Sequence, residues 1–286
     1  MASEQDTIER RKLEHIDLCV DEAVEYRSKT TLLEDVHLLH DALPELCLDE
    51  ISLSTQLVGK RLEVPLLITG MTGGVSRAGE INRALAEVAA TRGVAFGVGS
   101  QRAMLRDSAA TRTYQVRDVA PDLVILGNIG VVQASQMSSQ ELQDLAGNID
   151  ADVLAIHLNP AQELIQPEGD RDFRGGLDTI QRVQSELSIP ILVKETGCGL
   201  SPRTLSRIRA TGVQWVDVSG AGGTTWVGVE TLRTTEERVA MGNALWEWGV
   251  PTGVSVAAAS QAGLRVVGSG GIRNGLDVAK VVALGA

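Results

Sequence analysis

The chain has 286 residues, 43% hydrophobic and 22% charged, a length that suits two ordinary domains or one α/β barrel with a large buried core. Its net charge of -11 opposes binding to nucleic acid or an anionic membrane, so any anionic ligand must meet a local basic cluster. No apolar run reaches the roughly 20 residues that cross a bilayer, and Cys19, Cys47 and Cys198 are widely spaced, with no C-x-x-C pattern and no signal peptide ahead of them; the sequence reads as a soluble cytoplasmic protein.

The first 60 residues open with a helical pattern over 7–23. A mixed segment follows through residue 65, expected to cover a barrel bottom or to hold the opening helix near the mouth. From there, short β-branched runs alternate with amphipathic ones. Strands are predicted at 66–69, 94–99, 123–128, 153–158, 191–195, 215–220 and 265–270. Helices are predicted at 79–93, 138–149, 176–187, 201–212, 236–249, 252–263 and 274–285. Ser138 with Glu141 fits a capping box, Pro202 after Ser201 fits the first helical position, and Gly93, Gly212 and Gly285 fit helix ends.

Alternating strands and helices imply a parallel sheet. Polar residues gather after the strands, which favours a (β/α)8 TIM barrel in the α/β class over an open doubly wound sheet. The first strand also runs into GMTGG at 70–74, which lacks the G-x-G-x-x-G spacing of a dinucleotide fold. The expected organisation is an N-terminal extension, 1–60, packed on a barrel, 61–286. Seven strands are predicted where a barrel has eight, so the chain is expected to be a fragment lacking the last strand and helix.

Three glycine-rich loops follow strands. The run VVGSGGIRNG at 266–275 leads into a helix and is suited to cradle a phosphate on backbone N–H groups, with Arg273 adding charge. The loops at 69–74 and 219–228 let a flat ring or a phosphate approach the backbone, the second with Ser219, Thr224, Thr225 and Trp226 nearby. Lys194 ends an apolar strand, where an ammonium is costly unless paired or facing a ligand. A pair with Glu195 is not expected, because adjacent strand residues point to opposite faces. The basic cluster has candidates in Ser100 with Arg102, and in Arg11 with Lys12, although solvated surface charge is the better reading of the latter two. His157, Asn159, Gln162 and Glu163 crowd the end of one strand, which calls for a ligand.

Arg11-Lys12 with His15, GMTGG at 70–74, GSQR at 99–102, HLNPAQE at 157–163, VKETGCGLS at 193–201, DVSGAGGTTW at 217–226 and SGGIRNGLDVAKVVALGA at 269–286 together resemble the type 2 isopentenyl diphosphate isomerases. That family consists of FMN-dependent barrel enzymes that interconvert isopentenyl and dimethylallyl diphosphate. The resemblance implies that Met71, Thr72, Gly73, Ser100, Asn128, Lys194, Ser219, Thr224, Gly271, Ile272 and Arg273 hold FMN. It implies that Arg11, Lys12, Ser100, Arg102, His157, Asn159 and Gln162 bind the small-molecule diphosphate, that Glu163 holds Mg2+, and that His157, Gln162 and Trp226 stand at the catalytic centre. The cofactor is expected to work reduced, with NADPH as the usual reductant, and to move the allylic protons through its N5. No nucleic-acid or membrane partner is implied; a homo-oligomer, tetramer or octamer, is.

Two other readings compete. An FMN-dependent α-hydroxy acid oxidase or dehydrogenase shares the Gly-Gly-x-Arg loop but needs a His base after the strand that here yields residues 219–226, where no His occurs. A non-catalytic fragment of the isomerase is the other.

Overall fold

A computed structural model describes residues 4–286 of the chain. It opens with α1 (Glu4–Asp21), then an irregular strap, then an antiparallel hairpin of β1 (Thr55–Leu57) and β2 (Lys60–Leu62). The repeat proper begins with β3 (Leu67–Ile68), α2 (Ser76–Arg92), β4 (Ala95–Gly97), β5 (Ile125–Gly130), α3 (Val131–Ser135) and α4 (Ser139–Gly147). It continues with β6 (Val153–Leu158), α5 (Pro160–Ile165), α6 (Gly176–Glu186), β7 (Ile191–Glu195), α7 (Pro202–Ala210), β8 (Trp215–Asp217) and α8 (Trp226–Arg233). Last come α9 (Glu236–Leu245), α10 (Thr252–Gln261), β9 (Arg265–Val267) and α11 (Gly275–Ala283).

Strands β3 to β9 form one seven-stranded sheet in chain order, every pair parallel. The sheet curls until residues of its two edge strands, Leu67 and Val267, line a common cavity. This is the barrel-type α/β architecture expected, with all seven predicted strands found and several trimmed by two or three residues. Among the described residues no helix is long and apolar enough to cross a membrane.

Helix boundaries follow local chemistry. The Ser138 hydroxyl accepts from the Glu141 N–H while the Glu141 carboxylate accepts from the Ser138 N–H, closing the capping box ahead of α4. Ser201 caps α7 with Pro202 in its first turn. Gly93 ends α2 at φ +64, a left-handed conformation that glycine adopts without strain.

Side-chain parity divides the core and builds the mouth. One set, including Ile125, Ile129, Leu154, Ile156, Val193 and Val216, packs against helix residues such as Leu142, Ile180, Val183, Leu205 and Val256. The alternate set, Ala95, Leu126, Val153, Ala155 and Leu192, faces inward and packs on Leu57 and Leu62 of the hairpin, which plugs the bottom. Each such Leu or Ile contributes about 2 kcal/mol by leaving water. Two residues further along the same inward faces stand Asn128, His157, Lys194 and Asp217. Register aligns His157 with Lys194 and Lys194 with Asp217 across three neighbouring strands. Polar groups therefore replace apolar ones where the inner layer meets the C-terminal mouth, where ligands bind in such folds.

Candidate active site at the sheet mouth

The cavity at the mouth is lined from both halves of the sequence. Helix α1 lies across it and contributes Arg11, Lys12 and His15; the loops after β3 and β4 contribute Met71, Ser100 and Arg102; β5 to β8 and their loops contribute Asn128, His157, Asn159, Gln162, Glu163, Lys194, Ser219 and Trp226. Arg11 and Lys12 are not solvated surface charge: they are 8% and 9% exposed. Docking of α1 accounts for the difference. The His15 ring packs edge-on against the Trp226 indole with centroids 5.1 Å apart, and His15 Nε2 lies 2.9 Å from a carboxylate oxygen of fully buried Glu230.

The cavity concentrates positive charge in a chain of negative total charge. Burial, then the neighbouring cations Arg11 and Arg102, push the Lys12 ammonium down to about 7. Burial, then Lys194, Lys12 and Arg102, hold His157 down to about 3, so its imidazole is neutral at pH 7. Arg11 Nε is buried with no hydrogen-bond partner, a donor aimed at nothing the protein supplies. Arg102 lies 3.6 Å from Asp170. Lys194 donates to the Glu195 backbone carbonyl at 2.6 Å, while the Glu195 carboxylate turns away and accepts the N–H groups of Thr196, Gly197 and Cys198. The side-chain pair is absent, as strand parity requires.

Glu163 sits in the first turn of α5 and is 6% exposed. Its carboxylate accepts from Asn159 Nδ2 at 2.8 Å and from the Asp170 N–H at 2.7 Å, yet burial raises its pKa above the usual carboxylate range. A cation would relieve that burden. Among the described residues no three His, Cys, Asp or Glu side chains gather to hold a metal, so an ion at Glu163 would draw its other oxygens from amides, water or ligand.

A second cavity adjoins the first, sharing Thr69, Met71, Thr196, Ser219 and Trp226, and extends to Thr224, Gly270, Gly271, Ile272 and Arg273. Its far end is shaped by two interlocked glycine loops. A Cβ on Gly270 would stand 2.1 Å from the Gly220 carbonyl oxygen, and one on Gly271 would stand 2.6 Å from that of Gly222. Both glycines also have positive φ, +101 and +70, so larger residues are excluded twice over. This backbone cradle leads into α11, and Arg273 is ion-paired with Glu25 of the strap at the surface. The two adjoining cavities, the first lined by Asn128 and Lys194 and the second ending in a glycine cradle with an arginine, suit a ring carrying a phosphate tail.

Most of the predicted site residues come together, but Thr72 and Gly73 line neither cavity. The Thr72 carbonyl accepts the Gly99 N–H at 2.8 Å, and a Cβ on Gly73 would stand 2.0 Å from the Tyr114 ring. Packing behind the mouth accounts for both. The sequence alone did not single out Gln133, Gln166, Thr196 or Glu230. Glu230 takes His15, Gln162 Nε2 at 3.2 Å and Arg233 at 2.8 Å. With its amide turned to satisfy both neighbours, Gln166 donates to Glu230 at 3.1 Å and accepts from Arg11 at 2.8 Å.

Relatives that match this chain over nearly its whole length bear one name. The FMN-dependent dehydrogenase family model matches residues 157–286, from the mouth of β6 to the last helix. An isopentenyl-diphosphate delta-isomerase of Methanosarcina mazei is 46% identical over 98% of this chain and 78% of its own length. Proteins of the same name from a Synechococcus species and from Pyrococcus abyssi are 45% and 42% identical over 99% and 96% of this chain, and over 82% and 77% of their own lengths. A solved Pediococcus acidilactici lactate oxidase superposes with a TM-score of 0.63 at 13% identity, covering 100% of this chain and 80% of that one, a likeness of fold.

Proposed function

The chain belongs to the isopentenyl-diphosphate delta-isomerase family and its activity is FMN-dependent isomerisation of isopentenyl diphosphate; from that premise we propose that the first cavity holds the substrate's diphosphate as a Mg2+ complex and the second holds FMN. The observation that carries this reading is the buried, unpartnered Arg11 Nε among Lys12, Arg102 and Lys194, a cationic pocket in an acidic protein. A diphosphate satisfies such donors through charge-assisted hydrogen bonds.

The residue roles follow from position. Arg11, Lys12, Ser100, Arg102 and the polar groups of His157 and Asn159 would bind the diphosphate, and Glu163 would hold Mg2+, a hard cation that takes carboxylate oxygens and would offset the charge of the diphosphate. Met71, Ser100, Asn128, Lys194 and Ser219 hold the flavin ring; Thr224, Gly271, Ile272 and Arg273 hold its phosphate. Lys194 supplies a buried cation that favours an anionic reduced ring. Gln162 and Trp226 orient the alkene and keep water out; neither titrates in the range that acid–base catalysis prefers. Reduced FMN supplies the proton-transfer chemistry when bound, with NADPH as reductant. The side chains bind, orient and exclude.

The α-hydroxy acid oxidase alternative loses its support at the loop after β8, since residues 219–226, which supply Ser219 and Trp226 to the cleft, include no histidine. The test of the metal role is a Mg2+ titration of turnover. Glu163→Gln should raise the Mg2+ requirement by about tenfold or more while FMN binding is kept; an unchanged requirement would remove Glu163 from the metal.

A further inference from the structure

Arg233, at the end of α8, is a hub that lies behind the diphosphate pocket. Its guanidinium is 7% exposed and meets three carboxylates from three parts of the chain. Nε donates to Glu14 of α1 at 3.1 Å, Nη1 to Glu230 at 2.8 Å, and Nη2 to Glu168 at 3.0 Å. Glu168 belongs to the loop between α5 and α6. The same Glu168 oxygen that accepts from Arg233 lies 3.7 Å from Nη1 of Arg11, outside hydrogen-bond range. One carboxylate therefore stands between two buried guanidinium groups and is held by the one remote from the ligand.

We infer that Arg233 is a positioning residue for the diphosphate subsite: by holding Glu168 at 3.0 Å it keeps that carboxylate's ion pair with Arg11 long, at 3.7 Å, and leaves Arg11 available to the ligand. This inference rests on the diphosphate reading above. Arg11 is poised for it, since its Nε is buried without a partner and its Nη1 is accepted by the Gln166 amide, a neutral group that leaves the charge intact. Glu230 does not take over from Glu168 if Arg233 is removed, because His15, Gln162 and Gln166 still hold it. Glu168 has no such second anchor among its described contacts: Arg233 and Arg11 are its two cations. The side chains of Arg11 and Arg233 are 10% and 7% exposed and that of Glu168 29%, a partly buried site in which charges are only partly screened, so where one carboxylate leans bears on what the neighbouring cation offers a ligand.

The test is a double-mutant cycle read by calorimetric binding of Mg2+-pyrophosphate and by KM and kcat for isopentenyl diphosphate, on the FMN-loaded protein. Arg233→Ala should weaken pyrophosphate binding and raise KM by about tenfold, with kcat nearly unchanged, because a buried pair is broken and its anion released toward Arg11. Adding Glu168→Gln should restore most of that loss, since a neutral amide cannot quench Arg11. Glu168→Gln alone, which keeps every other residue in place and does not depend on the folding of the arginine variant, should bind pyrophosphate as tightly as the unmodified protein or more tightly. A double variant no better than Arg233→Ala, a loss confined to kcat, or weaker binding in Glu168→Gln alone would overturn the inference. If the unmodified protein binds no pyrophosphate, the diphosphate reading itself falls; if it binds but the cycle shows no rescue, only the role of Arg233 does.

Discussion

His157 Nδ1 lies 2.8 Å from the side-chain oxygen of Asn128, whose amide nitrogen donates to the Val98 carbonyl at 3.1 Å. Because that carbonyl can only accept, the amide is fixed, its oxygen faces the ring, and the imidazole proton resides on Nδ1. With its pKa held down to about 3 by burial and the surrounding cations, His157 presents an unprotonated Nε2 at pH 7. Such a nitrogen cannot donate to a phosphate oxygen. Binding a diphosphate adds negative charge beside the ring and raises its pKa from that low value, so uptake of a proton by the ring should grow as pH falls below 7. Calorimetry of pyrophosphate binding at about pH 5, where Lys12 is already charged, in buffers of different ionisation enthalpy should register the uptake, and His157→Asn should reduce it.

Lys12 carries the pH dependence of binding. In the free protein its pKa is pushed down to about 7 by burial and then by Arg11 and Arg102, so the cation is present below pH 7 and is lost as pH rises above it. A diphosphate binds the protonated form, so KM for isopentenyl diphosphate should be lowest below pH 7 and climb above it. Lys12→Arg, protonated throughout, should flatten the rise; a rise of equal steepness in that variant would assign it elsewhere.

Glu195 holds the loop that follows Lys194. Its carboxylate accepts three successive backbone N–H groups at 2.5 to 2.7 Å, from Thr196, Gly197 and Cys198. Glu195→Ala orphans those buried donors and should cost about 3 kcal/mol of stability. Glu195→Gln retains an acceptor oxygen and should lose less. Thermal or denaturant unfolding separates the two, and flavin binding should weaken in the alanine variant because Lys194 and Thr196 shift with the loop.

Gly271 tests the cradle. With φ at +70 and a Cβ that would stand 2.6 Å from the Gly222 carbonyl oxygen, Gly271→Ala forces the two glycine loops apart. FMN affinity, read by quenching of flavin fluorescence, should fall by about tenfold or more while the far-UV spectrum is kept. Unchanged affinity would place the flavin phosphate elsewhere.

The sheet was legible because alternation of β-branched runs with helical periods survives in short segments. The polar layer at the mouth was legible too, since Lys194 and His157 end runs too apolar for them to be accidental. What escaped notice is short or set by distant contacts. Helix α5 spans six residues, too short to show a period. Helix α8 read as the tail of a glycine loop because WVGVETLR is buried on most of its faces, leaving no polar stripe. Arg11 and Lys12 looked solvated because nothing near them in sequence shows that α1 docks onto Trp226 and Glu230, more than 200 positions away. Glu230 and Arg233 were hidden for the same reason.

The most direct measurement is anaerobic conversion of isopentenyl to dimethylallyl diphosphate with FMN, NADPH and Mg2+ supplied or withheld one at a time. The account predicts turnover that requires reduced flavin and Mg2+, consumes no NADPH stoichiometrically, and collapses in Arg11→Ala. Turnover without flavin, or retention of full activity when Arg11 is removed, would contradict it.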